Sequence, residues 1–154
     1  MPTIARETSM AFQRTTVPGK DLVNKRFILV DAEGKTLGRL AARVASVLRG
    51  KNKTTFMPGF DTGDNVIIIN ASKVRVTGKK TTDKFYDRYS GFHSGLKSIP
   101  YSEMLEKRPT KVMELAVKRM LPKGKLGNDI KNNLFVYAGS EHPHQAQKPV
   151  VIDI

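Results

Sequence analysis

The hydrophobic positions of this chain change period several times, and each change marks an element. Phe27 to Asp31 reads FILVD, a short continuous apolar run that suits a buried strand, with a turn at Glu33-Gly34. Leu37, Leu40, Ala41, Val44 and Leu48 then recur at spacings of three and four, the period of one helix face. Thr36 can cap the start of that helix, and Gly50 suits the left-handed position after its end. Its polar face carries Arg39 and Arg43. Val66 to Ile69 is a second continuous apolar run, so strand, helix and strand make a crossover unit with parallel pairing.

Downstream the pattern loosens. Val74-Arg75-Val76-Thr77 alternates and ends at Gly78. From Lys79 to Lys97, Phe85, Tyr86, Tyr89 and Phe92 are interspersed with Lys79, Lys80, Lys84, Arg88 and Lys97. Rings among cations could stack on exposed bases, but a hairpin burying its own rings is the preferred reading for the aromatics. For the cations the preferred reading is contact with RNA phosphates. Ser102 can cap a short helix through Lys107, and Pro109 opens another whose packed face is Val112, Leu115, Ala116 and Met120, with the methionines as core filler. Pro122 stops that helix at about Leu121. Lys118, Arg119, Lys123, Lys125 and Lys131 surround a turn with Gly124 and Gly127, a seat for anions. Phe135 to Tyr137 reads as a last short strand before a wrapping tail. Residues 1–22 have no apolar period and read as a flexible arm on one domain spanning 23–154.

Charge narrows the partner. The chain has 27 Lys and Arg against 14 Asp and Glu, a net charge of +13, and a pI near 10.1. So large an excess calls for a polyanion. Dispersed cations match nucleic-acid phosphates better than a membrane surface, which favours one basic amphipathic helix. At 39% hydrophobic residues the charge is mounted on a folded body. The tail after Asn133 holds one lysine against two acids, so it is not the basic element. There is no cysteine, no apolar stretch of membrane-spanning length and no secretory leader, which points to a soluble intracellular protein.

Candidate chemistry thins out on inspection. Gly34-Lys35-Thr36 resembles the end of a P-loop, but Leu29 stands where the first glycine is needed. Asp61-Thr62-Gly63 is the tripeptide of aspartic peptidases; occurring once, it would need a homodimer, and a dimeric peptidase using Asp61 is a remote alternative. His142-Pro143-His144 lacks the carboxylates that would complete a metal site, and its imidazoles suit hydrogen bonds to phosphate or to a neighbouring loop. No nucleophile, base and orienting acid stand at a recognisable spacing, so the expectation is no catalysis, no cofactor, no metal and no small-molecule substrate.

Taken in order, these motifs resemble the family of the thirteenth protein of the large ribosomal subunit, in its bacterial or organellar form, from about Phe27 to Ile154. The similarity is carried by Val30-Asp31-Ala32 with Gly34 to Ala41, Asp61 to Asp64, Asn70-Ala71, Lys73 to Lys80, Gly95-Leu96-Lys97, Met120 to Gly124, Leu126-Gly127, Val136 to Gly139 and Glu141 to His144. The resemblance implies a three-layer α/β/α domain with a four-stranded, mainly parallel sheet and an extended basic loop. It also implies a structural role: binding large-subunit ribosomal RNA beside neighbouring ribosomal proteins, early in assembly, on a cytoplasmic or organellar ribosome. Lys51, Lys53, Lys79, Lys80, Lys84, Arg88, Lys97, Lys118, Lys123, Lys125 and His142 are the expected RNA contacts. The alternative is an RNA-binding translational regulator acting off the ribosome.

Overall fold

The computed structural model describes residues 24–153, so the arm expected over 1–22 lies outside the described residues. Strand β1 (Phe27–Asp31), helix α1 (Leu37–Leu48) and strand β2 (Asn65–Ile69) form the expected crossover, with β1 and β2 parallel from Phe27 opposite Asn65 to Asp31 opposite Ile69. Next come a 3-10 turn (Ala71–Lys73), the short helix α2 (Lys80–Asp83), and the antiparallel pair β3 (Phe85–Tyr89) and β4 (Leu96–Pro100). Helices α3 (Tyr101–Lys107), α4 (Pro109–Met120) and α5 (Lys125–Lys131) lead to β5 (Leu134–Val136) and β6 (Val150–Val151). The main sheet runs β5-β2-β1-β6 with every pair parallel, the four-stranded sheet expected of a three-layer α/β fold.

Helices pack on one face of that sheet. Ile28, Val30, Val66 and Ile68 meet Leu40, Val44, Leu48, Val112, Met113, Val117 and Ile130 in one buried cluster. The other face carries Leu29, Ile67 and a ring group in which Phe27, Phe135 and His144 stack at centroid distances of 4.6 to 6.5 Å. The tail therefore covers the second face and ends as edge strand β6 beside β1.

Close backbone approach explains the loop between α1 and β2. Helix α1 ends with Gly50 at φ +77°, its N–H donating to Val47 O and the Lys51 N–H to Ser46 O, the expected left-handed cap. Gly63 passes directly beneath: a β-carbon there would lie 1.7 Å from the Leu48 carbonyl oxygen.

Several local expectations need correction. Thr36 stands at the start of α1 without a side-chain cap bond, and Ser102 caps nothing because α3 begins at Tyr101 behind Pro100. On α4 the buried side chains are Val112, Met113 and Val117, while Leu115 and Ala116 are half-buried and Met120 is 47% exposed. The face rotates because α4 packs between α1 and α3 rather than on one neighbour. Lys125 to Lys131 is a helix rather than an open glycine turn; Leu126 and Ile130 give it an apolar edge, and Gly127 packs against the Pro122 carbonyl. The β3–β4 hairpin exists, yet it buries only Tyr86 among its rings and leaves Phe85, Tyr89 and Phe92 exposed.

Candidate nucleic-acid interface

Reciprocal backbone bonds set up the most cationic concavity. Leu37 N–H donates to Arg75 O at 2.8 Å and Arg75 N–H donates to Lys35 O at 3.0 Å, so the alternating segment after the 3-10 turn is laced to the start of α1 by one bridge. This puts Arg75 beside Arg39. From the other side, α2 and β3 deliver Lys80 and Lys84, and the end of α4 delivers Arg119. Arg39, Arg75, Lys80, Lys84 and Arg119 thus line one groove of about 500 Å³ whose walls hold no carboxylate. Its floor is apolar, from Val76, the Tyr86 ring, Leu115, Ala116 and Met120.

The electrostatics of this groove are unfavourable without an anion. Partial burial holds the Lys84 ammonium below the usual lysine range, and Arg119 and Lys80 push it further the same way. Helix α1 opens into the groove with no acidic residue in its first turn and with Arg39 there instead, a cation at the positive end of the helix dipole. Unpaired N–H groups at such an end favour phosphate. Below the floor, the Tyr86 and Tyr101 hydroxyls are buried without hydrogen-bond partners among the described residues, and burial raises both phenols.

The residues expected from the sequence fall into three groups. Lys80 and Lys84 enter the groove; Lys79 stands exposed just before α2, and Arg88 lines an adjoining groove with Lys107, Arg108, Lys111 and Arg119. Lys97 pairs opposite Arg88 on the hairpin. Lys118, Lys123 and Lys125 are exposed around the α4–α5 junction, and Lys51 shares a small recess with Arg49 and Met120. Lys53 is otherwise engaged, pairing with buried Asp64 at 2.6 Å and donating to Asn24 O. His142 accepts the His144 N–H through Nδ1, and the His144 ring contacts the Tyr137 hydroxyl at 2.8 Å, so this pair belongs to the ring group behind the sheet.

Arg39, Arg75 and Arg119 were missing from the expected contacts. Arg39 and Arg75 stand in separate segments, Arg119 belongs in the sequence to the basic turn after α4, and only folding gathers the three. The available signal was Arg39 and Arg75 facing away from their apolar neighbours.

The acids are employed elsewhere. Among the described residues the ion pairs are Lys25–Asp61, Lys35–Asp153, Lys53–Asp64, Lys73–Glu33, Lys107–Glu103 and Lys111–Glu114. Apart from Lys53, no cation expected at the interface is among them. Asp61 is held by Lys25 at 2.5 Å and Asn133 at 2.9 Å, with Thr62 fully buried and Gly63 under α1; the tripeptide is a structural clip.

The family model described as Ribosomal protein L13 matches residues 25–143. A protein of Bacillus thuringiensis is 55% identical over 142 residues, covering 92% of this chain and 98% of its own length. One from Symbiobacterium thermophilum is 52% identical over 141 residues, with 92% and 99% covered. One from Coxiella burnetii is 53% identical over 132 residues, with 86% and 93% covered. All three are named Large ribosomal subunit protein uL13. With a family match over well more than half its length and such identity across nearly all of these relatives, the chain belongs to the ribosomal protein L13 family.

Proposed function

We propose that this chain is a structural constituent of the large ribosomal subunit that holds its ribosomal RNA through phosphate contacts, early in subunit assembly and without catalysis. The observation that carries the reading is the groove of Arg39, Arg75, Lys80, Lys84 and Arg119, which has no acid in its walls, while half of the acids among the described residues are paired to lysines elsewhere. Five cations held together this way repel one another, and a phosphate backbone relieves that repulsion while releasing its own counterions. Lys79, Arg88, Lys97, Lys118, Lys123, Lys125 and Lys51 extend the positive surface outward from the groove. With side chains of this kind, RNA shape rather than base sequence sets most of the affinity.

Binding of the full chain to protein-free large-subunit RNA, measured across a salt series, tests the reading. Several phosphate contacts imply an affinity loss of about 10³ or more between 50 and 200 mM salt. A flat salt response contradicts the proposal. Co-sedimentation with large subunits after a high-salt wash separates a ribosomal constituent from a regulator acting off the ribosome.

A further inference from the structure

Phosphate contacts alone leave part of the cationic groove unused. Its five cations meet no carboxylate, yet the floor between them is largely aliphatic, from Val76, Leu115, Ala116 and Met120. Met120 is 47% exposed there. A bare phosphate, like water, covers such surface poorly. The adjoining groove shares Tyr86, Leu115 and Arg119 with the first and adds Ile99 and Met104, so the apolar strip continues past Arg119. Arg88 and Arg108 stand beside this continuation, and neither has an ion-pair partner among the described residues. The acids lining the second groove are already engaged, Glu103 with Lys107 and Asp87 with the Ser98 hydroxyl.

We infer that the two grooves together seat a short unpaired stretch of RNA, its bases laid on the aliphatic strip and its phosphates on the lysines and arginines around it. The inference rests on the ribosomal RNA reading above and narrows it to unpaired nucleotides. Cations and apolar floor line the same concavity, so one occupant has to satisfy both. An apolar protein segment would cover the floor and leave the cations repelling one another. A paired helix stacks its bases inside itself, so it would meet the cations and leave the floor wet. An unpaired strand brings one negative charge with each flat base, and guanidinium planes offer those bases further stacking surface. The first groove, at about 500 Å³, has the size of sites that take small ligands, which admits a nucleotide and excludes a duplex.

The chain has no tryptophan, so Met120→Trp places a single indole on the floor. Its emission should be quenched by a short unpaired oligo(A) and left unchanged by a paired RNA duplex of the same length. In the second arm, Val76→Thr with Met120→Gln keeps shape and charge while making the floor polar. This variant should bind oligo(A) at least fivefold more weakly than the parent, with the parental salt slope because no phosphate contact is removed, and should bind the duplex as the parent does. Circular dichroism checks that it is folded; if it is not, Met120→Gln alone, at a half-exposed position, serves the same comparison. Unchanged emission with oligo(A), or equal quenching by the duplex, overturns the inference, as does parental oligo(A) affinity in the variant. Parental oligo(A) affinity combined with loss of the variant from washed particles overturns it in favour of an acidic protein segment. If instead oligo(A) quenches the indole while the parent binds large-subunit RNA without salt dependence, the failure lies with the ribosomal reading and not with the seat for unpaired nucleotides.

Discussion

The Lys84 ammonium lies 5.4 Å from the centroid of the Tyr86 ring, half-buried, with Lys80 and Arg119 as its charged neighbours. The ring face attracts the cation, yet burial and like charges leave the lysine below its ordinary value. Because the unfolded chain binds this proton more tightly, charged Lys84 opposes folding at neutral pH, and that opposition fades as pH rises from the depressed value toward 10.5. Phosphate bound in the groove acts in the opposite sense and favours the charged lysine.

Lys84→Gln should therefore melt higher than the parent at neutral pH, with the difference shrinking in alkaline buffer, while its RNA affinity falls and its salt slope drops by about one. In the parent, RNA affinity should decline as pH rises through the lowered lysine value. Thermal melts and anisotropy titrations over the same pH series check both signs.

Arg39 and Arg119 approach one groove from different helices. Replacing both with Gln should reduce the salt slope by about two and weaken large-subunit RNA binding at least tenfold at low salt. Arg39→Gln alone should also stabilise the free protein by about 0.3–1 kcal/mol, since it removes a cation from the positive end of α1. Chemical denaturation without RNA measures that gain.

Two glycines should respond to alanine with opposite signs. At Gly63 the new methyl would sit 1.7 Å from the Leu48 carbonyl oxygen, against α1 backbone that cannot yield as a flexible side chain could, so Gly63→Ala should cost about 3 kcal/mol or more. At Gly38, within α1, nothing lies within 4 Å, and Gly38→Ala should add about 0.5–1 kcal/mol. Urea midpoints of the two variants decide the matter.

Asp61→Asn removes the charge that Lys25 and Asn133 both contact. It should lower stability by about 1–2 kcal/mol through those two lost or weakened bonds. Peptide hydrolysis at acid pH should be the same for parent and variant, at the level of buffer alone. Acid-dependent cleavage by the parent that disappears in the variant would instead revive the peptidase reading.

The sheet and its first crossover were legible because continuous apolar runs and a three-four repeat have few other uses in a chain this size. FILVD and the run after Asn65 were read as buried strands and pair as such, and the glycine after α1 takes the left-handed cap foreseen for it. Less was visible where two packings share one pattern. The apolar residues of α4 allow two neighbouring faces, and contact with both α1 and α3 selects Val112, Met113 and Val117. The rings of the hairpin could cover each other or open outward, and only the pairing of Phe85 with Pro100 and Tyr89 with Leu96 shows that most of them open.

The candidate interface divides along the same line. Composition alone set the expected sign of the partner, since an excess of 13 positive charges persists in any fold. Which cations act together was a tertiary decision: Arg39, Arg75 and Arg119 lie far apart along the chain, and Coulomb interaction depends on distance through space. Lys53 shows the converse, a lysine in a basic stretch that folding assigns to a buried carboxylate. Periodicity and charge survive in one dimension, whereas adjacency exists only once the backbone has closed.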